Sequence, residues 1–183
     1  HPETGMVAYF LPLEPGAVKK WGSPTEDFWC CHGTLVQAHT IYYDNIYFAG
    51  EEGLMINQYI PNQLRWTHGD INVEITLTAD LQEKRPRRPD GIALNLTINA
   101  EQPVEFALDI RLPWWLKQAP TVTVNGDTQQ VPHQTSTYYR LHRRWTQDQI
   151  HLELPKGLTA VPLSDAPDTV AFMDGPVVLA ALC

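Results

Sequence analysis

From residue 71 the chain alternates strictly: Ile71, Val73, Ile75, Leu77, Ala79 and Leu81 are apolar, while Asn72, Glu74, Thr76, Thr78 and Asp80 between them are polar. A period of two puts the two sets on opposite faces of an extended chain, so the run predicts a half-buried β-strand. Ile92, Leu94, Leu96 and Ile98 repeat the pattern, as do Val104, Phe106, Leu108, Ile110 and Leu112. Val122 and Val124 lead into Asn125-Gly126, a pair that tolerates positive φ at both central positions of a type I′ hairpin turn. Ile150, Leu152 and Leu154 follow, then 169–173, and after Gly175-Pro176 the apolar run 177–182. With 54–60, stopped by Pro61, these make roughly eight or nine short strands separated by turn signals, which predicts an antiparallel β-sandwich.

Upstream of Gly53 the period is different. Leu35, Ala38, Tyr42 and Ile46 recur at spacings of three and four, which predicts a helix over 34–48 with Gly33-Thr34 at its start and Ala49-Gly50 at its stop. Residues 1–25 mix short apolar pieces with Pro12, Pro15, Gly16, Gly22 and Pro24, which reads as an extended segment followed by irregular loop. The change from 3.6 to 2 divides the chain into two expected domains, 1–50 and 51–183, and makes the fold class mainly β.

Composition narrows the partners. At 183 residues and 43% hydrophobic the chain can bury one real core. Its formal net charge of −8 argues against nucleic acid or an anionic membrane surface as partner, and no window approaches the eighteen apolar residues of a membrane span. Three cysteines are an odd number without a spaced framework, so reduced thiols fit better than a disulfide scaffold. Reduced thiols lean toward a cytoplasmic setting, but the sequence assigns no localisation. It opens at His1 without a charged-then-apolar leader, which reads as a piece of something longer.

Chemistry concentrates in Glu26-Asp27-Phe28-Trp29-Cys30-Cys31-His32-Gly33-Thr34. Adjacent cysteines are poor disulfide partners, because consecutive Cα atoms lie about 3.8 Å apart and a bridge prefers roughly 4.4–6.8 Å. They are better placed to share a metal, as thiolates do with zinc, and a position at or just before a helix N-terminus favours the thiolate. The competing reading is a buried pair of small apolar residues. His32 and Glu26 are possible further ligands without a recognised spacing, and Cys183 is too remote in sequence to place. Trp29, Trp114 and Trp115 could stack on sugar rings, though for Trp114 and Trp115 packing is the better reading. Lys84-Arg85-Pro86-Arg87-Arg88-Pro89 reads as a solvated loop rather than a polyanion site. Asn95-Leu96-Thr97 matches a glycosylation acceptor but falls inside a predicted strand. His39 and His68 have no visible partners.

Two segments carry a family likeness: Thr4-Gly5-Met6-Val7-Ala8-Tyr9-Phe10-Leu11-Pro12-Leu13 and Pro24-Thr25-Glu26-Asp27-Phe28-Trp29-Cys30-Cys31-His32-Gly33-Thr34. Together with Gly175-Pro176-Val177-Val178-Leu179 they resemble the β-L-arabinofuranosidases of glycoside hydrolase family 127 and its relative family 146. The resemblance implies that residues 1 to about 48 are the last piece, a short helical remnant, of an α/α-barrel catalytic domain, and that the β-sandwich follows it. It implies that Cys30 is the glycosidic nucleophile and a zinc ligand, and Cys31 a second ligand. A glutamate and another cysteine from earlier in the barrel complete the site, in a Glu-x-Cys element without a counterpart in this sequence. The general acid, a glutamate, also lies outside it; Glu26 and Asp27 are near in sequence but are not assigned that role. The substrate class implied is the β-L-arabinofuranosides, cleaved with retention, and the chain by itself is expected to be inactive. The alternative is a non-catalytic β-sandwich that packs on or binds carbohydrate, with structural cysteines.

Overall fold

The computed structural model describes residues 1, 3–12, 14, 16–79 and 90–179. It forms two compact units, one of residues 1–45 and one from Ile46 on. Among the described residues there are eleven strands and one α-helix, so the chain is mainly β. Lys84–Pro89 and Cys183 lie outside the described residues.

In the first unit the helix α1 spans Cys30–Ile41, and a 3-10 turn, Tyr43–Asn45, follows it. This corrects the helix expected over 34–48 at both ends. It starts four residues earlier because His32 caps it: the Trp29 N–H, which has no partner within the helix, donates to His32 Nδ1 at 3.1 Å. His32 thus does what a glutamate or glutamine does at the third position of a capping box. At the other end the Asn45 side chain donates to the Ile41 carbonyl at 2.8 Å and closes the last turn. Ile46, which continued the helical period in the sequence, belongs instead to the β unit, where it is buried.

The second unit is built on two long strands. β1 (Tyr47–Gly50) and β2 (Gly53–Ile56) form a hairpin; β3 (Asn62–His68) and β4 (Ile71–Ala79) form another. β5 then runs from Gly91 to Leu112, followed by β6 (Thr121–Val124), β7 (Asp127–Thr128) and β8, from Thr137 to Pro155. β5 and β8 pair antiparallel along nearly their whole length, with a register shift between Asn99 and Val104. Before that shift β5 pairs with β4, giving the layer β3-β4-β5-β8-β6-β7; after it β5 pairs with β2, giving the layer β1-β2-β5-β8. The two layers are thus halves of one hydrogen-bonded sheet, joined where a bulge lets β5 and β8 bend from one layer to the other. The two apolar runs of the sequence around 92–98 and 104–112 are one bent strand.

One pairing departs from the antiparallel expectation, because β2 runs parallel to β5, with Gly53 opposite Ala107 and Ile56 opposite Ile110. Gly53 makes this possible: φ is +154°, and a Cβ there would lie 2.0 Å from the Ala107 carbonyl oxygen. The alternation of β4 is as expected, with Val73, Ile75 and Leu77 buried. They meet Leu94, Leu96, Ile98, Phe106, Leu108, Ile110, Ile150 and Leu152 in a single core. At about 1.5–3 kcal/mol for each large side chain buried, this core is what holds the layers together. Trp145 is wholly buried within it, tilted against Phe106, and its indole N–H is satisfied by the Phe106 carbonyl at 2.9 Å.

The Asn125-Gly126 turn has φ of 54° and 90° at its two residues, as a type I′ turn requires. A smaller sheet, β9 (Leu158–Pro162), β10 (Val170–Asp174) and β11 (Val177–Val178), follows β8. It is tied to the end of β8 by Lys156 Nζ and Asp174 Oδ2, 2.6 Å apart and both nearly buried.

Candidate functional site

The loop before α1 is held by a small set of polar contacts. Ser23 Oγ accepts from the Glu26 and Asp27 N–H groups at 2.9 Å, and Asp27 Oδ2 accepts from the Ser23 N–H at 2.7 Å. The Asp27 carboxylate is therefore spent on shaping the loop. The Gly22 N–H donates to the Val7 carbonyl at 3.0 Å, which brings the segment around residues 6–11 beside this loop. Gly22 has no side chain to obstruct the Trp29 ring, whose nearest atom would lie 3.0 Å from a Cβ there.

On that frame the aromatic residues assemble. Tyr9 stacks on Trp29 with ring centroids 5.1 Å apart and planes 29° apart, and Phe10 meets both rings edge-on. His32 lies tilted against Phe28 and Trp29 at 5.3 and 5.4 Å. Trp29 is thus packed among side chains, with its neighbours on the same unit.

Cys30 and Cys31 occupy the first turn of α1, and both are exposed, contrary to the reading of a buried apolar pair. Their Sγ atoms are 3.9 Å apart. Two thiolates on one zinc, with bonds of about 2.3 Å at tetrahedral angles, lie roughly 3.8 Å apart, so the pair has the separation of one tetrahedral edge. Among the described residues no group of three or more His, Cys, Asp or Glu side chains could hold a metal. His32 Nδ1 is engaged by the Trp29 N–H. The chain thus fits half of a zinc site.

The Tyr9 hydroxyl lies beside both thiols, whose negative charge when ionised pushes the phenol above its ordinary pKa and keeps it a proton donor. The Cys31 thiol is also pushed up, chiefly because it shares a hydrogen bond with Cys30, and Tyr9 works against this. In the sequence Tyr9 stands out only as part of the family-like segment 4–13, twenty-one residues from Cys30, with nothing local to tie it to the thiols.

The remaining candidate residues make other contacts. Trp115 packs against the core of the β unit, and Trp114 is 57% exposed in this chain. His68 does have partners, the Trp66 and Phe106 rings at 5.0 and 5.8 Å. His39 meets Tyr42 edge-on. Asn95 is in β5, where its side-chain oxygen pairs with His151 Nδ1 at 2.8 Å.

The architecture is that of known glycoside hydrolases. A GH127 β-L-arabinofuranosidase from Geobacillus stearothermophilus T6 superposes with a TM-score of 0.68 at 24% identity, over 81% of this chain and 23% of that one. A chain described as a glycoside hydrolase gives 0.69 at 20% identity, over 94% and 28%. A GH127 β-arabinofuranosidase gives 0.64 at 16%, over 89% and 27%. The chain therefore spans about a quarter of the length of these structures. At family level the GH127 β-L-arabinofuranosidase middle-domain model matches residues 53–156, and the catalytic-domain model of the same family matches residues 1–44. The chain belongs to the GH127 β-L-arabinofuranosidase family. A search of curated proteins gives no match.

Proposed function

We propose that this chain is the part of a retaining glycoside hydrolase that carries the nucleophile, Cys30, and the sandwich that follows it in sequence, and that the whole enzyme cleaves β-L-arabinofuranosides. In this reading residues 1–50 are the C-terminal fragment of an α/α-barrel catalytic domain and 51–183 the β-sandwich domain. The observation that carries it is the exposed Cys30-Cys31 pair in the first turn of α1, within a segment that matches the family's catalytic domain.

Cys30 Sγ attacks the anomeric carbon; the C–S bond forms as the bond to the departing oxygen breaks, and that oxygen takes a proton from an acid supplied by the rest of the enzyme. Water then attacks the same carbon, the C–S bond breaks, and the water's proton passes to the conjugate base of that acid. Two inversions leave the configuration retained, as in enzymes with two carboxylates. Cys30 and Cys31 would hold zinc, which when bound keeps a coordinating thiol ionised at neutral pH. The Tyr9 hydroxyl, which keeps its proton beside the thiols, can donate to the thiolates.

The test compares the 183-residue chain with the full-length protein, each titrated with zinc and assayed on a chromogenic β-L-arabinofuranoside. The full-length protein should bind zinc stoichiometrically and turn over, its Cys30→Ser variant should fold without turnover, and the isolated chain should do neither. Tight zinc and hydrolysis by the isolated chain would show that the ligand set is misplaced. A non-catalytic sandwich with structural cysteines predicts no turnover by any form and a destabilised Cys30→Ser variant.

A further inference from the structure

The outer face of β3, β4 and the first half of β5 carries a depression of about 570 Å³. Its polar lining is Arg65, Thr67, Asn72, Glu74, Asn99 and Glu101. Cross-strand register explains why they meet: Arg65 is opposite Glu74 and Glu74 opposite Asn99, while Thr67 is opposite Asn72. Glu101 lies at the bulge where β5 leaves this layer, between Asn99 and Val104. Bulges re-aim side chains, and this one puts both Glu101 carboxylate oxygens 3.1 Å from Asn72 Nδ2. Asn72 Oδ1 in turn accepts from Thr67 Oγ1 at 3.0 Å, so the amide is held from both sides. Arg65 Nε and Glu74 Oε2 are 3.6 Å apart, beyond a good hydrogen bond, and the Arg65 side chain is 84% exposed.

We propose that this depression is an accessory binding site for a neutral oligosaccharide. Two carboxylates against one guanidinium leave it acidic, which disfavours phosphate and other anions. What it offers is planar hydrogen-bonding groups in an open depression, with Asn72 and Glu101 holding one another in place: the carboxylates of Glu74 and Glu101 can accept from adjacent hydroxyls, and Arg65 and the Asn99 amide can donate to ring and hydroxyl oxygens. Vicinal diols match that set. Trp66 faces inward and packs on Phe106, so no ring is presented for stacking, and binding rests on hydrogen bonds alone in the millimolar range. The site would keep a substrate chain near the enzyme between cleavage events. The choice of a pentose-containing probe rests on the glycosidase reading; the site does not.

The experiment titrates the 183-residue chain with an arabino-oligosaccharide and follows amide and side-chain NH2 resonances by NMR, with glycerol and calcium chloride as separate arms. Saturable shifts at Thr67, Asn72, Asn99 and Glu101, weakened at least tenfold in Asn72→Ala and in the gentler Glu101→Gln, and unchanged in Cys30→Ser, are expected. The absence of saturable shifts, shifts confined to residues 9–32, equal shifts with glycerol, or occupancy by calcium alone would each overturn the proposal. Because the titration reads binding by a chain that is itself expected not to turn over, failure here and failure of the catalytic reading are read separately.

Discussion

The Tyr9 ring stacks on the Trp29 indole, 5.1 Å between centroids, and this contact holds the phenol against the two thiols of the following helical turn. Tyr9 comes from an extended segment and Trp29 from the residue before α1, so the contact joins two stretches that only the fold brings together.

Tyr9→Phe in the full-length protein keeps the stack and removes the hydroxyl. A hydrogen bond to a charged group is worth about 1.5–3 kcal/mol, so the hydrolysis step, in which the departing Cys30 thiolate regains its charge, should slow and lower kcat roughly 10- to 100-fold with zinc content unchanged. Equal kcat in the variant and the wild type would remove Tyr9 from the site.

Gly53→Ala tests the parallel pairing of β2 with β5. A Cβ placed 2.0 Å from a backbone oxygen can be relieved only by moving β2 off β5, and the positive φ adds strain. The expected cost is about 2–5 kcal/mol, seen as a lower urea midpoint of this chain. Gly50→Ala, with no atom within 4 Å of its added Cβ, is the control and should shift the midpoint far less. Equal midpoints for the two variants would show that β2 is not seated as described.

Much of the β unit could be read from the sequence because its core positions obey a period of two: Val73, Ile75 and Leu77, then Leu94, Leu96 and Ile98, are all buried. Asn125-Gly126 was legible for the same local reason, since its turn type depends on two backbone torsions. β3 was missed because only Leu64 and Trp66 mark its inner face, between Gln63, Arg65 and Thr67. β9 was missed because all five residues are exposed and no alternation is imposed on it. The helix boundary failed for a physical reason too: Ile46 fits the helical period, but burial in the other unit outweighs local propensity. Of the site, the cysteine pair was plain in the sequence, whereas Tyr9 depends on contacts between segments and leaves no local mark.

The proposed nucleophile, Cys30, is tested most directly by trapping its covalent bond to the sugar. The full-length protein is incubated with an activated β-L-arabinofuranoside whose first step outruns hydrolysis, quenched in acid, digested and examined by peptide mass spectrometry. One anhydropentosyl group on Cys30, absent from Cys30→Ser and lost on chase with water at neutral pH, is the predicted result. An adduct on a carboxylate, or near-normal turnover by Cys30→Ser, would contradict it.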